Sequence, residues 1–162
     1  MSTLTGSKEI DGITTEISIQ HFADSILVLV TQLGKVGNLI QASLPATTPL
    51  LPIPPPDPTQ PNVQQLPPVP TAIQLTNLLG HAPSEHLHTL HNLYASQIAS
   101  ILWYMEADDP MSQRVRRNVI VGISLQKSQD TVDSRGPSER ERNTFAAVMA
   151  MVQELCAKTQ GS

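Results

Sequence analysis

The run Ile26-Leu27-Val28-Leu29-Val30 is the tightest constraint on how this chain can fold. Successive side chains of a strand point to opposite faces, so an unbroken apolar run demands cover on both sides. The segment before it alternates instead. Ile13, Thr15, Ile17 and Ile19 point one way and Thr14, Glu16, Ser18 and Gln20 the other, the period-two pattern of a half-covered strand. Asp11-Gly12 ahead of that segment is a hairpin signal, which makes residues 3–10 a polar edge strand. After the apolar strand, Gly34 to Gly37 reads as a turn into a fourth strand over residues 38–44, so the first quarter of the chain predicts a four-stranded antiparallel meander.

From Pro45 to Pro70 the pattern breaks, because most of the fourteen prolines fall there. Proline cannot donate to a ladder or a helix, and such a stretch favours polyproline II or disorder. It reads as an insertion at 45–70 in a single domain spanning 1–162, one that a short Gly/Ser linker in place of residues 47–69 should leave able to fold. A ligand for a proline-recognising module is the weaker reading.

Residues 72–80 predict a short strand with Ile73, Leu75 and Leu79 on one face. Ser84 then stands where a helix cap belongs, and Leu87, Leu90, Tyr94, Ile98, Ile101, Leu102 and Met105 step by threes and fours until Pro110 breaks the pattern. Alternation returns with Val115, Val119, Val121, Ile123 and Leu125 against Arg116, Asn118, Gly122 and Ser124, a sixth strand. A last helix begins near Pro137 and Ser138, carries Glu139 and Glu141 at its positive end, and shows an apolar stripe of Phe145, Val148, Met149, Val152 and Leu155. The expected fold is α+β, in the order βββββαβα: a single antiparallel sheet of about six strands with two main helices on one face.

Two helices cover one face of such a sheet, and no third long helix remains for the other. Either the sheet curls on itself or a partner packs against it, and the partner is the expected solution. The residues offered for a dimer face are therefore Ile26, Leu27, Val28, Leu29 and Val30, with the outward set being either Leu27 and Leu29 or Ile26, Val28 and Val30.

Candidate chemistry is sparse. Gly34-Lys35-Val36-Gly37 lacks the GxxxxGK[ST] pattern, and a strand rather than a helix follows it, so a hairpin with a solvated lysine is preferred to a phosphate loop. His81, His86, His88 and His91 cluster, with Glu85 a possible but unspecific further ligand beside them, so a polar helix face is preferred to a metal site. Ser124 in GISLQ lacks the second glycine of a nucleophile elbow, and Cys156, the single cysteine, lies beside the last helix's apolar stripe, where packing is its expected role. Neither a catalytic constellation nor a cofactor is expected. Ten basic against fourteen acidic residues give a net charge of −4, the wrong sign for a protein built around nucleic acid. Residues 1–12 lack the basic start and apolar core of a signal peptide, and no run approaches the ~20 apolar residues of a membrane span. A cytoplasmic, and also nuclear, location is expected.

SILVLVTQLGKVGNLI, residues 25–40, closely resembles the strand–loop–strand of the proteasome assembly chaperone 3 family. LLGHAPSEHLHTLHNLYASQIA is similar to that family's strand end and first helix, and NVIVGISLQ with the helix beyond it to its final strand and helix. The resemblance spans roughly residues 10–44 and 72–156. It implies a non-catalytic chaperone that pairs as a heterodimer with a related chaperone of the assembly chaperone 4 type and helps α-subunits of the 20S proteasome form their ring, while the two-sided apolar run by itself also allows a homodimer of the isolated chain. The proline insertion and the polar loop at 126–137 are longer than the family pattern. The contact residues offered come from the chain itself: Lys35 and Val36 at the loop tip, with Arg116 and Arg117 as a second, basic patch. The competing readings are a small dimeric trafficking or signalling scaffold and a phosphate- or nucleotide-binding enzyme using Lys35 and the histidines.

Overall fold

Asp11 and Gly12 both take positive φ, 50° and 79°, the backbone of a two-residue hairpin loop whose twist suits the flanking strands. They join β1 (Thr3–Ile10) to β2 (Ile13–His21) in unbroken antiparallel register from Ile10↔Ile13 to Thr3↔Gln20. β2 pairs in turn with β3 (Ser25–Thr31). In this computed structural model the described residues are 3–32, 37–50, 55, 58–59, 65–82, 84–107, 116–125 and 139–160.

Beyond β3 the meander ends. β4 (Asn38–Ser43) pairs with β5 (Gln74–Leu79) on one side and β6 (Asn118–Ser124) on the other, and β6 lies parallel to β3, giving the order β1-β2-β3-β6-β4-β5. The six-stranded sheet is therefore mixed rather than purely antiparallel, and β3 and β4 are not hairpin partners. The reason is burial. β6 carries Val119, Val121 and Ile123, each at most 1 % exposed, and so apolar a strand takes the centre, where both edges are paired. β5 and β6 run the same way, so their connection must cross over the sheet, and α1 (Glu85–Ala107) makes that crossing.

α1 starts as its sequence demands. Ser84 Oγ accepts the Leu87 amide at 3.2 Å, and the Ser84 carbonyl accepts the His88 amide. α2 (Glu139–Gln160) lies beside it in the same direction, with His86 meeting Glu141 near both helix starts and the Tyr94 and Phe145 rings packed edge to face at 5.0 Å. α1 covers β4, β5 and β6, and α2 covers β1 and β2. Between helices and sheet sits one core that includes Ile17, Ile19, Ile26, Val28, Val30 and Ile40.

Both ends of the proline-rich segment belong to this core's margin. Leu50 and Leu66 pack on it, Pro67 is buried, and the Pro67 carbonyl accepts Gln97 Nε2 of α1 at 2.9 Å. This narrows the expectation that all of residues 47–69 can be exchanged. A Gly/Ser linker in place of 52–64 is expected to keep the melting temperature. Exchanging 47–69 removes Leu50, Leu66 and Pro67 and is expected to cost about 2 kcal/mol, or roughly 4–8 °C by calorimetry. Equal melting temperatures for the two variants would show that these flanks contribute nothing.

Candidate interaction surface

The strand register decides which half of the apolar run faces outward. Ile26, Val28 and Val30 are 0 % exposed beneath the helices, while Leu27 and Leu29 are half-buried on the opposite, open face. Leu29 pairs across to Gly122, Gly122 to Leu39, and Leu39 to Leu79, while Leu27 pairs to Ile120, so an apolar stripe crosses four strands. Leu79 is 62 % exposed. Its position corrects the expectation that Leu75 and Leu79 share a face. A register shift between Leu39 and Ile40 inserts one residue, so Leu75 sits beside Ala42 under the helices and Leu79 beside Leu39 on the open side. Around the stripe stand uncharged Ser, Thr and Gln, while of this face's strand carboxylates Glu9 lies on the edge strand β1 and Glu16 on β2, diagonal to Leu29 at the stripe's end. The sequence offers Leu27 and Leu29 only as one of two outward sets, the other being Ile26, Val28 and Val30, and does not single out Leu39, Leu79 and Ile120 for this face. Alternation along β4 and β6 was the available signal.

The remaining candidates do not converge on a reaction centre. Lys35 and Val36 lie outside the described residues. Gly37, at the end of their loop, is exposed, and Gly80 closes against it: Gly80 has φ +76°, and a Cβ there would stand 2.4 Å from the Gly37 carbonyl oxygen, so only glycine fits.

Arg116 donates to the Pro45 carbonyl at 2.6 Å. Arg117 ties three elements together: its guanidinium pairs with Glu106 of α1 and donates to the Phe22 carbonyl at 2.8 Å, while its own carbonyl accepts Trp103 Nε1 at 2.8 Å. The second basic patch is thus engaged within the chain, Arg117 the more firmly.

Three of the clustered histidines have separate partners: His86 has Glu141, His88 has Asn92, and His91 has Asn38. Among the described residues no three His, Cys, Asp or Glu side chains are grouped to hold a metal. A cleft lined by Ile13, Leu87, Leu90, Tyr94 and Leu125, with Arg140 at its rim, holds about 40 Å³, room for a water rather than a nucleotide. Ser124 is buried, and its carbonyl accepts the Gln32 amide. Burial pushes the Cys156 thiol up to about 11, with Glu106 adding to the shift, so the thiolate that nucleophilic chemistry needs is disfavoured.

His91 sets a pH dependence. The ring is buried, 3.3 Å from Asn38 Nδ2, and burial, helped by His88, holds its pKa below the ordinary 6.5. Burial and then Arg117 shift His21 the same way. Above 6.5 both the folded and unfolded forms are neutral. Below it the unfolded chain takes up protons that the folded chain resists, so stability is full above that pH and lost as it falls. The melting temperature is expected to decline from about pH 7 to about pH 5, less steeply in His91→Gln. An identical slope in that variant would remove His91 as a cause.

The fold is shared with a chain from the crystal structure of a novel chaperone complex for yeast 20S proteasome assembly. The TM-score is 0.50, the match covers 94 % of this chain and 99 % of that one, and the sequences are 11 % identical. At that identity the likeness is one of fold. No protein-family model matches the sequence, and no curated protein matches it.

Proposed function

We propose that this chain is a non-catalytic assembly chaperone of the 20S proteasome. In this reading it pairs through its open sheet face with a related chaperone of the assembly chaperone 4 type. The pair holds α-subunits while their ring forms, in the cytoplasm or the nucleus. The observation that carries the reading is an apolar sheet face with no helix over it among the described residues, on a fold shared, over nearly its whole length, with a chain of a yeast chaperone complex for 20S assembly. The resemblance of residues 25–40 to the assembly chaperone 3 family supports it from the sequence side.

A chaperone that must later release its client suits a contact spread over exposed loops and charges. Lys35 and Val36, in the β3–β4 connection, are the first candidates for that contact. Arg116 is the second, because Arg117 is engaged with Glu106 and Phe22. The double substitution Lys35→Glu and Val36→Asp is expected to reduce α-subunit co-purification roughly tenfold while leaving melting temperature and dimer mass unchanged. Unchanged capture would reject the loop. No capture by the wild-type pair would reject the chaperone.

A further inference from the structure

β1 and β5 are the two edges of the sheet, and they are built differently. β1 carries Lys8 and Glu9, charges of the kind that keep a foreign strand from pairing with an edge, and Gly6, which weakens a strand. β5, Gln74-Leu75-Thr76-Asn77-Leu78-Leu79, has no charge, proline or glycine, and five of its six residues are exposed. In an antiparallel pair every second residue directs both its N–H and its C=O away from the neighbouring strand. On the outer side of β5 these groups meet no strand among the described residues. They form a row of donors and acceptors whose spacing an extended chain matches. Both ends of the row are held. Asn77 Nδ2 donates to the Gly80 carbonyl at 2.7 Å, and just before the strand the Ile73 amide donates to the Pro70 carbonyl. The register passes from Asn77↔Ile40 to Leu79↔Leu39, so Leu78 has no partner on β4, and its side chain is 46 % exposed beside the still more exposed Leu79.

We propose that the free edge of β5 is a strand-addition site for an extended, uncharged segment of a partner protein, which pairs with it as a further strand of the sheet and sets an apolar side chain on Leu78. Charge selects the segment. β5 has none, so a charged segment gives up hydration there and meets no opposite charge. Shape selects a flexible chain over the edge of a second copy. A strip of six residues is ~20 Å long and ~10 Å deep, roughly 200 Å² per partner, against the ~800 Å² per partner of a stable interface between folded proteins. The shift at Leu78 also increases the local twist, which a flexible chain follows and a second rigid sheet does not. The inference stands apart from the proposed chaperone role, because it needs only the edge.

The test is fluorescence anisotropy of a labelled heptapeptide of alternating threonine and valine, titrated with the full chain. A second peptide is the same but methylated at the backbone nitrogens of two adjacent central residues, which removes a donor from each of its edges. The plain peptide is expected to bind in the range of weak, transient contacts, and the methylated one at least about tenfold more weakly. Backbone amide exchange is expected to slow across residues 74–79 when the plain peptide is bound, and not in β1. Leu78→Lys installs the device that other edge strands carry, and is expected to weaken binding roughly tenfold at unchanged melting temperature and dimer mass. The comparison of the two peptides on the wild-type chain stands even should that variant fail to fold. Absence of binding by the plain peptide at millimolar concentration, equal binding of the methylated peptide, undiminished binding by folded Leu78→Lys, or protection of β1 in place of β5 would each overturn the site. Protection of β5 without peptide, deepening as protein concentration rises, would put a second copy at the edge and overturn the peptide as its occupant.

Discussion

Val28→Asp is expected to abolish folding, while Leu29→Asp, one residue along the same strand, yields a folded monomer. Val28 is 0 % exposed between the sheet and the helices, so an aspartate there has neither water nor a partner. Burying an unpaired charge costs several kcal/mol, comparable with the ~5–15 kcal/mol that holds a domain of this size together. Leu29 is half-buried on the open face between Ser18 and Gly122, where a carboxylate reaches solvent as long as nothing covers the sheet. In the monomer the cost is expected to stay within about 1 kcal/mol. In the dimer the same charge is desolvated against an apolar sheet, which weakens association by about 3 kcal/mol or more, over a hundredfold. Circular dichroism and sedimentation equilibrium on the two proteins separate these outcomes. A dimeric Leu29→Asp protein would show that the open face is not the interface.

Trp103→Ala is expected to cost about 3–5 kcal/mol. The indole is 1 % exposed near the end of α1, and its Nε1 donates to the Arg117 carbonyl just before β6, so it fixes the crossover helix to the strand that helix delivers. Alanine leaves a cavity and strips that carbonyl of its donor. Trp103→Phe keeps most of the apolar volume and loses the hydrogen bond, for about 1–2 kcal/mol. Urea denaturation measures both. A Trp103→Ala protein within 1 kcal/mol of wild type would mean that the contact with Arg117 does not anchor the crossover.

What the sequence disclosed and what it hid follow from the range of the forces. Asp11-Gly12, the alternation of Ile13 to Gln20 and the Ser84 cap act over a few residues, and each appears where it was expected. The partnership of β3 was hidden because the glycine-bounded link to Asn38 looks local, whereas β6, far along the chain, takes the place between β3 and β4. One clue was present. Two parallel strands joined by a helix, as β5 and β6 are, require a crossover, and a strand as apolar as β6 belongs in the interior of the sheet. The open face was half legible. An unbroken apolar run shows that both sides need cover, but only the register with β2 and β6 tells which leucines face out, and only the shift at Leu39 explains why Leu79 joins them. Arg117 illustrates the reverse error, since a run of arginines looks like a surface patch until Glu106, Phe22 and Trp103 are brought to it by the fold.

Co-expression with the 20S α-subunits, scored as seven-membered ring on a native gel with and without this chain and the related chaperone proposed as its partner, tests whether this chain assists assembly. Ring yield is expected to rise when both are present, and Leu29→Asp, expected to separate them, is expected to remove the rise. Ring yield unaffected by the wild-type pair would contradict it.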